Sequence, residues 1–93
     1  MKVIKLDPEE YPTGTAVKSL HFYGWEEDYD VTVGEIYYKN DVRCDMIELQ
    51  YIGDTPSFHI EYADGTVDLF LITERAFFKI IFANGDIVTL EVS

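Results

Sequence analysis

The stretch Phe58-His59-Ile60-Glu61-Tyr62-Ala63-Asp64-Gly65-Thr66-Val67-Asp68-Leu69-Phe70-Leu71 decides the fold class. Phe58, Ile60 and Tyr62 alternate with His59 and Glu61, and Val67, Leu69 and Leu71 resume the same period of two after Asp64-Gly65. Period two is the signature of a strand with one face buried. Asp-Gly between alternating runs predicts a tight hairpin, because a type I′ turn needs positive φ at both central residues. A two-residue turn would oppose Tyr62 to Val67, Ile60 to Leu69 and Phe58 to Leu71, apolar on both sides. It would also set Glu61 opposite Asp68 on the outward face, a like-charge pair that weakens a sheet.

The device recurs in Phe78-Lys79-Ile80-Ile81-Phe82-Ala83-Asn84-Gly85-Asp86-Ile87-Val88, where Phe78, Ile80, Phe82 and Ile87 repeat Phe58, Ile60, Tyr62 and Val67. Here the other face is apolar too, through Phe77, Ile81, Val88 and Leu90. That face is therefore a candidate oligomer interface, unless the domain itself covers it. Met46 to Ile52 alternates as a further strand, and Thr15 to Tyr23 and Val31 to Lys39 read as two more, with Gly34 as a bulge or close approach. Gly24 to Asp30 reads as a loop or a poorly ordered strand end. Helix signals are confined to single turns at Asp7-Pro8-Glu9-Glu10 and Thr73-Glu74-Arg75-Ala76. The expected fold is all-β, a small barrel or two-layer sandwich of six or seven antiparallel strands with at most one-turn helices. At 93 residues it is one domain, residues 1–93, with an N-terminal arm over 1–14 and the barrel or sandwich over 15–93.

Eighteen Asp and Glu face seven Lys and Arg, a net charge of -11, yet 47% of residues are apolar, which is too rich for a disordered acidic tail. No apolar run reaches the length of a membrane span and the N-terminus lacks a signal-peptide core, so a cytoplasmic protein is expected. A single cysteine, Cys44, and two separated histidines supply neither an internal disulfide nor a metal site. His21 and His59 are the two candidate general bases, and neither stands in a recognisable nucleophile motif. No phosphate loop or dinucleotide fingerprint is present. The expectation is no enzyme, no catalytic residues, no metal and no cofactor.

The acidic residues are more informative. Trp25-Glu26-Glu27-Asp28-Tyr29-Asp30 crowds four carboxylates among two aromatics. If extended, Glu26, Asp28 and Asp30 share one side about 6.6 Å apart, from a rise of about 3.3 Å per residue. Alternate phosphates of a DNA strand recur at about 6.8 Å, so this spacing permits mimicry of a phosphate track. Direct nucleic-acid binding is disfavoured, because seven cations diluted among eighteen anions cannot supply the phosphate contacts it needs. A basic protein surface is the better partner, with Trp25 and Tyr29 as anchors and the carboxylates of Glu26, Glu27, Asp28, Asp30, Glu61 and Asp68 meeting Arg or Lys.

Val31-Thr32-Val33-Gly34-Glu35-Ile36-Tyr37, the Asp64-Gly65 turn and Arg75-Ala76-Phe77-Phe78 together resemble the small SH3-like barrel proteins of tailed phages and prophages. The resemblance covers about Val17 to Ile80; the Asn84-Gly85 hairpin lies beyond it. It implies a phage context and a binding role, and it supplies no catalytic residues. The expected function is a non-catalytic, phage-encoded inhibitor of a basic, nucleic-acid-handling host protein in the host cytoplasm. Anti-CRISPR or anti-restriction action by DNA mimicry is its sharpest form. The alternatives are a structural or assembly protein that forms a homo-oligomer through the 77–92 hairpin, and a small enzyme using Glu61 and Asp68 as paired carboxylates.

Overall fold

The computed structural model describes residues 6–24, 28–71 and 76–92, the side chains of 76 and 90–92 excepted. Eight strands form one antiparallel sheet: β1 (Ala16–Tyr23), β2 (Asp28–Thr32), β3 (Ile36–Tyr37), β4 (Val42–Ile52), β5 (Thr55–Tyr62), β6 (Val67–Leu71), β7 (Ala76–Phe82) and β8 (Ile87–Val92). The order is β6-β5-β4-β1-β7-β8, with β2 also on β1 and β3 on β4. The described residues contain no helix, as the all-β reading requires.

Two bulges fold this sheet onto itself. The pairing of β1 with β7 slips by one residue between Val17 and Ser19, and that of β4 with β5 between Cys44 and Met46. An extra residue bends a strand and resets which side its neighbours face. Accordingly Val17 and Leu20 are both buried three residues apart, as are Cys44 and Ile47. Beyond its bulge, β1 leaves β4 and takes β2 as its neighbour. The result is two layers, β6-β5-β4 against β2-β1-β7-β8, meeting where Phe58 stacks on Phe78 at 6.2 Å between ring centroids. Leu20, Ile47, Leu49, Ile60 and Ile80 fill the space between them with no measurable exposure or 1%. The N-terminal arm closes one end. Asp7 caps a turn through Glu9 N–H (2.9 Å), Tyr11 stacks on Phe82 at 4.3 Å, and Tyr51 OH donates to the Tyr11 carbonyl at 2.6 Å.

Both hairpins exist, but each turn holds three residues rather than two. Tyr62 N–H donates to Thr66 C=O and Gly65 N–H to Tyr62 C=O, and Phe82, Asp86 and Gly85 repeat the pattern. Asp64 Oδ1 accepts from Thr66 N–H at 3.0 Å and Asn84 Oδ1 from Asp86 N–H at 2.9 Å, so the Asx side chain fixes the longer loop. One more turn residue moves every partner by one position. Glu61 pairs with Val67 and Ile60 with Asp68, which places Val67, Leu69 and Leu71 outside and Phe70 inside. In the second hairpin Ile80 pairs with Val88, so Val88 packs on the core, contrary to the outward position expected for it. Gly65 sits at φ +86° with open space where a Cβ would go. Gly65→Ala should therefore destabilise through backbone strain alone, by about 1 kcal/mol, lowering Tm by roughly 4–8 °C.

The expected strand over 31–39 is also corrected. β2 begins at Asp28 and ends at Thr32, and Gly34 (φ +91°) turns the chain into the two-residue β3. The single turn expected at Thr73 to Ala76 lies outside the described residues, apart from Ala76, which opens β7.

Candidate functional site

Residues facing away from the core on β2, β1 and β7 fall into rows set by the register. Asp28 lies beside Tyr23 and Phe77, Asp30 beside His21 and Lys79, and Thr32 beside Ser19 and Ile81. Tyr23 and Phe77 touch, with ring centroids 5.9 Å apart. Asp28 and Asp30 are thus exposed on an edge strand, as the acidic reading needs.

Tyr29 is not part of that surface. It points inward, 5.4 Å from Phe22 and 5.1 Å from Phe70 between ring centroids, with Lys39 Nζ 4.2 Å from its own centroid. Alternation forces this, because its neighbours Asp28 and Asp30 take the outward positions. Trp25, Glu26 and Glu27 lie outside the described residues.

The exposed side chains beside the β2 carboxylates come from the turn after it. Asp30, Thr32, Glu35, Ile36 and Tyr38 line a shallow groove of about 230 Å³ without a lysine or arginine among them. Ile36 and Tyr38 are 59% and 60% exposed, and the Tyr38 hydroxyl donates to the Asp28 carbonyl, anchoring the ring beside the strand edge. Glu35, Ile36 and Tyr38 escaped the sequence reading because residues 31–39 looked like one continuous strand. Gly34 was the signal that a turn would push them out.

Asp30 is held by a chain of polar contacts. His21 Nδ1 lies 3.1 Å from Asp30 Oδ1, His21 Nε2 3.1 Å from Ser19 Oγ, and Ser19 Oγ 2.9 Å from Thr32 Oγ1. This is the order of a Ser-His-Asp relay. A nucleophile, however, needs an open approach and free donors around the developing oxyanion. Ser19 is 5% exposed, and its Oγ also lies 3.5 Å from Val31 C=O. The chain of contacts works instead as a lock between β1 and β2 that fixes the Asp30 carboxylate on the rim of the groove.

Glu61 and Asp68 do not meet. Glu61 is outward, 3.6 Å from His59 Nε2, whereas Asp68 is half-buried on the opposite face and accepts from Tyr62 OH at 2.6 Å. Neither the like-charge pair nor a carboxylate-pair catalytic centre survives this register. Phe77 and Ile81 stay on the outward face as expected, Val88 joins the core, and Leu90 pairs with Phe78 in the ladder while its side chain lies outside the described residues. Burial pushes the Cys44 thiol up, away from the reactive thiolate. Among the described residues no group of His, Cys, Asp and Glu could hold a metal ion, and no helix is long and apolar enough to cross a membrane.

Of the described cations, Arg43 pairs with Asp45 at 2.9 Å and Lys39 stands over the Tyr29 and Tyr38 rings. No protein-family model, curated protein or solved structure matches the chain.

Proposed function

We propose that this chain is a non-catalytic binding protein whose β2 edge engages a basic surface of a nucleic-acid-handling protein. The observation that supports it is the groove of Asp30, Thr32, Glu35, Ile36 and Tyr38, which sets carboxylates beside an exposed aromatic and an aliphatic side chain, with Lys39 Nζ 5.8 Å from the Tyr38 ring centroid as a neighbouring cation. Carboxylates give orientation and on-rate toward Arg and Lys, and a rigid tyrosine gives contact area at low entropic cost. The resemblance to phage SH3-like barrels suggests an inhibitor of the anti-CRISPR or anti-restriction type, occupying a surface meant for DNA or RNA.

The test is capture of partners from a bacterial lysate by the immobilised protein at about 50 mM and about 500 mM salt, followed by titration with the captured protein. Affinity should fall at least about tenfold across that range, because exposed charges act within a Debye length that shrinks with salt. Asp28→Asn, Asp30→Asn and Glu35→Gln together, combined with Glu26→Gln and Glu27→Gln, should lower affinity by a similar factor. Tyr38→Ala should slow association little and speed dissociation. A basic partner bound equally well by the neutralised variant would sink the reading.

A further inference from the structure

The β6 edge, one of the free edges of the sheet, points to a second copy of this chain as its occupant: we infer that β6 pairs antiparallel with β6 of another molecule about a two-fold axis at Leu69. In an antiparallel ladder hydrogen-bonded and non-hydrogen-bonded pairs alternate. The Tyr62 N–H to Thr66 C=O bond starts the β5–β6 ladder, so Ile60/Asp68 and Phe58/Phe70 are its further bonded rungs. Val67, Leu69 and Leu71 therefore turn their N–H and C=O groups away from β5, and among the described residues no strand receives them.

The same three residues carry the exposed apolar side chains, at 56%, 50% and 42%. Edge strands are ordinarily blunted by charge, proline or a bulge. β2 is blunted by Asp28 and Asp30, whereas Val67-Asp68-Leu69-Phe70-Leu71 has one charge, and Tyr62 of its own chain already engages that carboxylate.

The strand is complementary to itself. A two-fold at Leu69 sets Leu69 opposite Leu69 of the second copy and Val67 opposite Leu71, with every outward N–H and C=O in register. On the other face Asp68 falls opposite Phe70, so no carboxylate meets its own image. A cationic foreign strand would find no carboxylate in the outward row of this edge, which is why a second copy is the better occupant. Two five-residue strands bury less than a standard interface, and two chains of net charge -11 repel, so the dimer is a weak one.

Sedimentation equilibrium from about 10 µM to about 1 mM at about 150 mM salt should show a monomer–dimer equilibrium, and Leu69→Lys should weaken it at least about tenfold. Leu69→Cys should oxidise to a covalent dimer, since directly opposed Cα atoms about 5.5 Å apart suit a disulfide. Val67→Cys should not, because its copies would lie about 13 Å apart, four residues at about 3.3 Å. Native Cys44 is buried and does not compete. A wild-type monomer throughout, a dimer indifferent to Leu69→Lys, or equal crosslinking through Val67→Cys would each overturn the proposal. Should Leu69→Lys fail to fold, the two cysteine variants decide it. The β2 groove is on a different strand, so partner binding can fail or succeed independently.

Discussion

Phe78→Ala should destabilise the protein by about 3–5 kcal/mol, while the same change at Phe77 next to it should stay within about 1 kcal/mol. Phe78 is 1% exposed and packs between the layers, 4.7 Å from Phe22 and 6.2 Å from Phe58 between ring centroids. Removing its ring leaves a cavity walled by Phe22 of β1 and Phe58 of β5, one aromatic from each layer, which cannot both collapse into it. Phe77 is 38% exposed on the outward face, where truncation opens no void. Domains of this size have a total stability of about 5–15 kcal/mol, so Phe78→Ala removes a large share of it. Urea unfolding is the measurement: the midpoint should drop steeply at unchanged slope for Phe78→Ala and hardly move for Phe77→Ala. Equal losses at the two positions would mean that β7 is not set in the register that puts Phe78 between the sheets.

That contrast bears on what the sequence could disclose. Alternation and the Asp-Gly and Asn-Gly signals were enough to identify strands and place both hairpins. They were not enough to set the register, because Val67, Leu69 and Leu71 make a more hydrophobic row than Asp68 and Phe70. Hydrophobicity alone therefore chose the wrong face. The inward Asp68 is tolerated because Tyr62 OH donates to it, and the longer turn is selected by Asp64 and Asn84 accepting from the residue two places on. Those Asx contacts were the legible signal, since Asp and Asn hold the same position in the two turns. The bulges at Lys18 and Asp45 left a subtler trace, buried residues three apart where a plain strand would have them two or four apart.

The candidate site was legible to the same depth. Asp28 and Asp30 came from charge density alone, and β2 does present both. The inward Tyr29 needed only alternation, provided the strand was recognised to start at Asp28 rather than Val31. Asp30 as the partner of His21 needed the β1–β2 register, which no local pattern specifies. Acidic edge and apolar edge thus end up on different strands: β2 exposes Asp28 and Asp30, and β6 exposes Val67, Leu69 and Leu71.

Raising the pH above about 10 should unfold the wild-type protein more steeply than Tyr62→Phe. Burial, and then the hydrogen bond and charge of Asp68, hold the Tyr62 phenol far above its ordinary value near 10. The native state keeps that proton over a range in which the unfolded chain has lost it. The native state then binds more protons than the unfolded one, so stability falls as pH rises, by about 1.4 kcal/mol per pH unit from this group. Below pH 10 both states are protonated and the contribution is complete. At neutral pH, Tyr62→Phe should be the less stable form by about 1–2 kcal/mol, because the half-buried Asp68 carboxylate loses its donor. The difference should shrink from pH 10 upward and close near pH 11, about one unit of slope later. Tyr11 and Tyr51 are raised as well, by burial first, but they are common to both proteins and cancel in the comparison. Guanidinium unfolding free energies between pH 7 and 11.5 provide the readout. Parallel curves for the two proteins would mean that Tyr62 ionises as freely in the folded state as in the unfolded one, and that Asp68 is not facing it beneath β6.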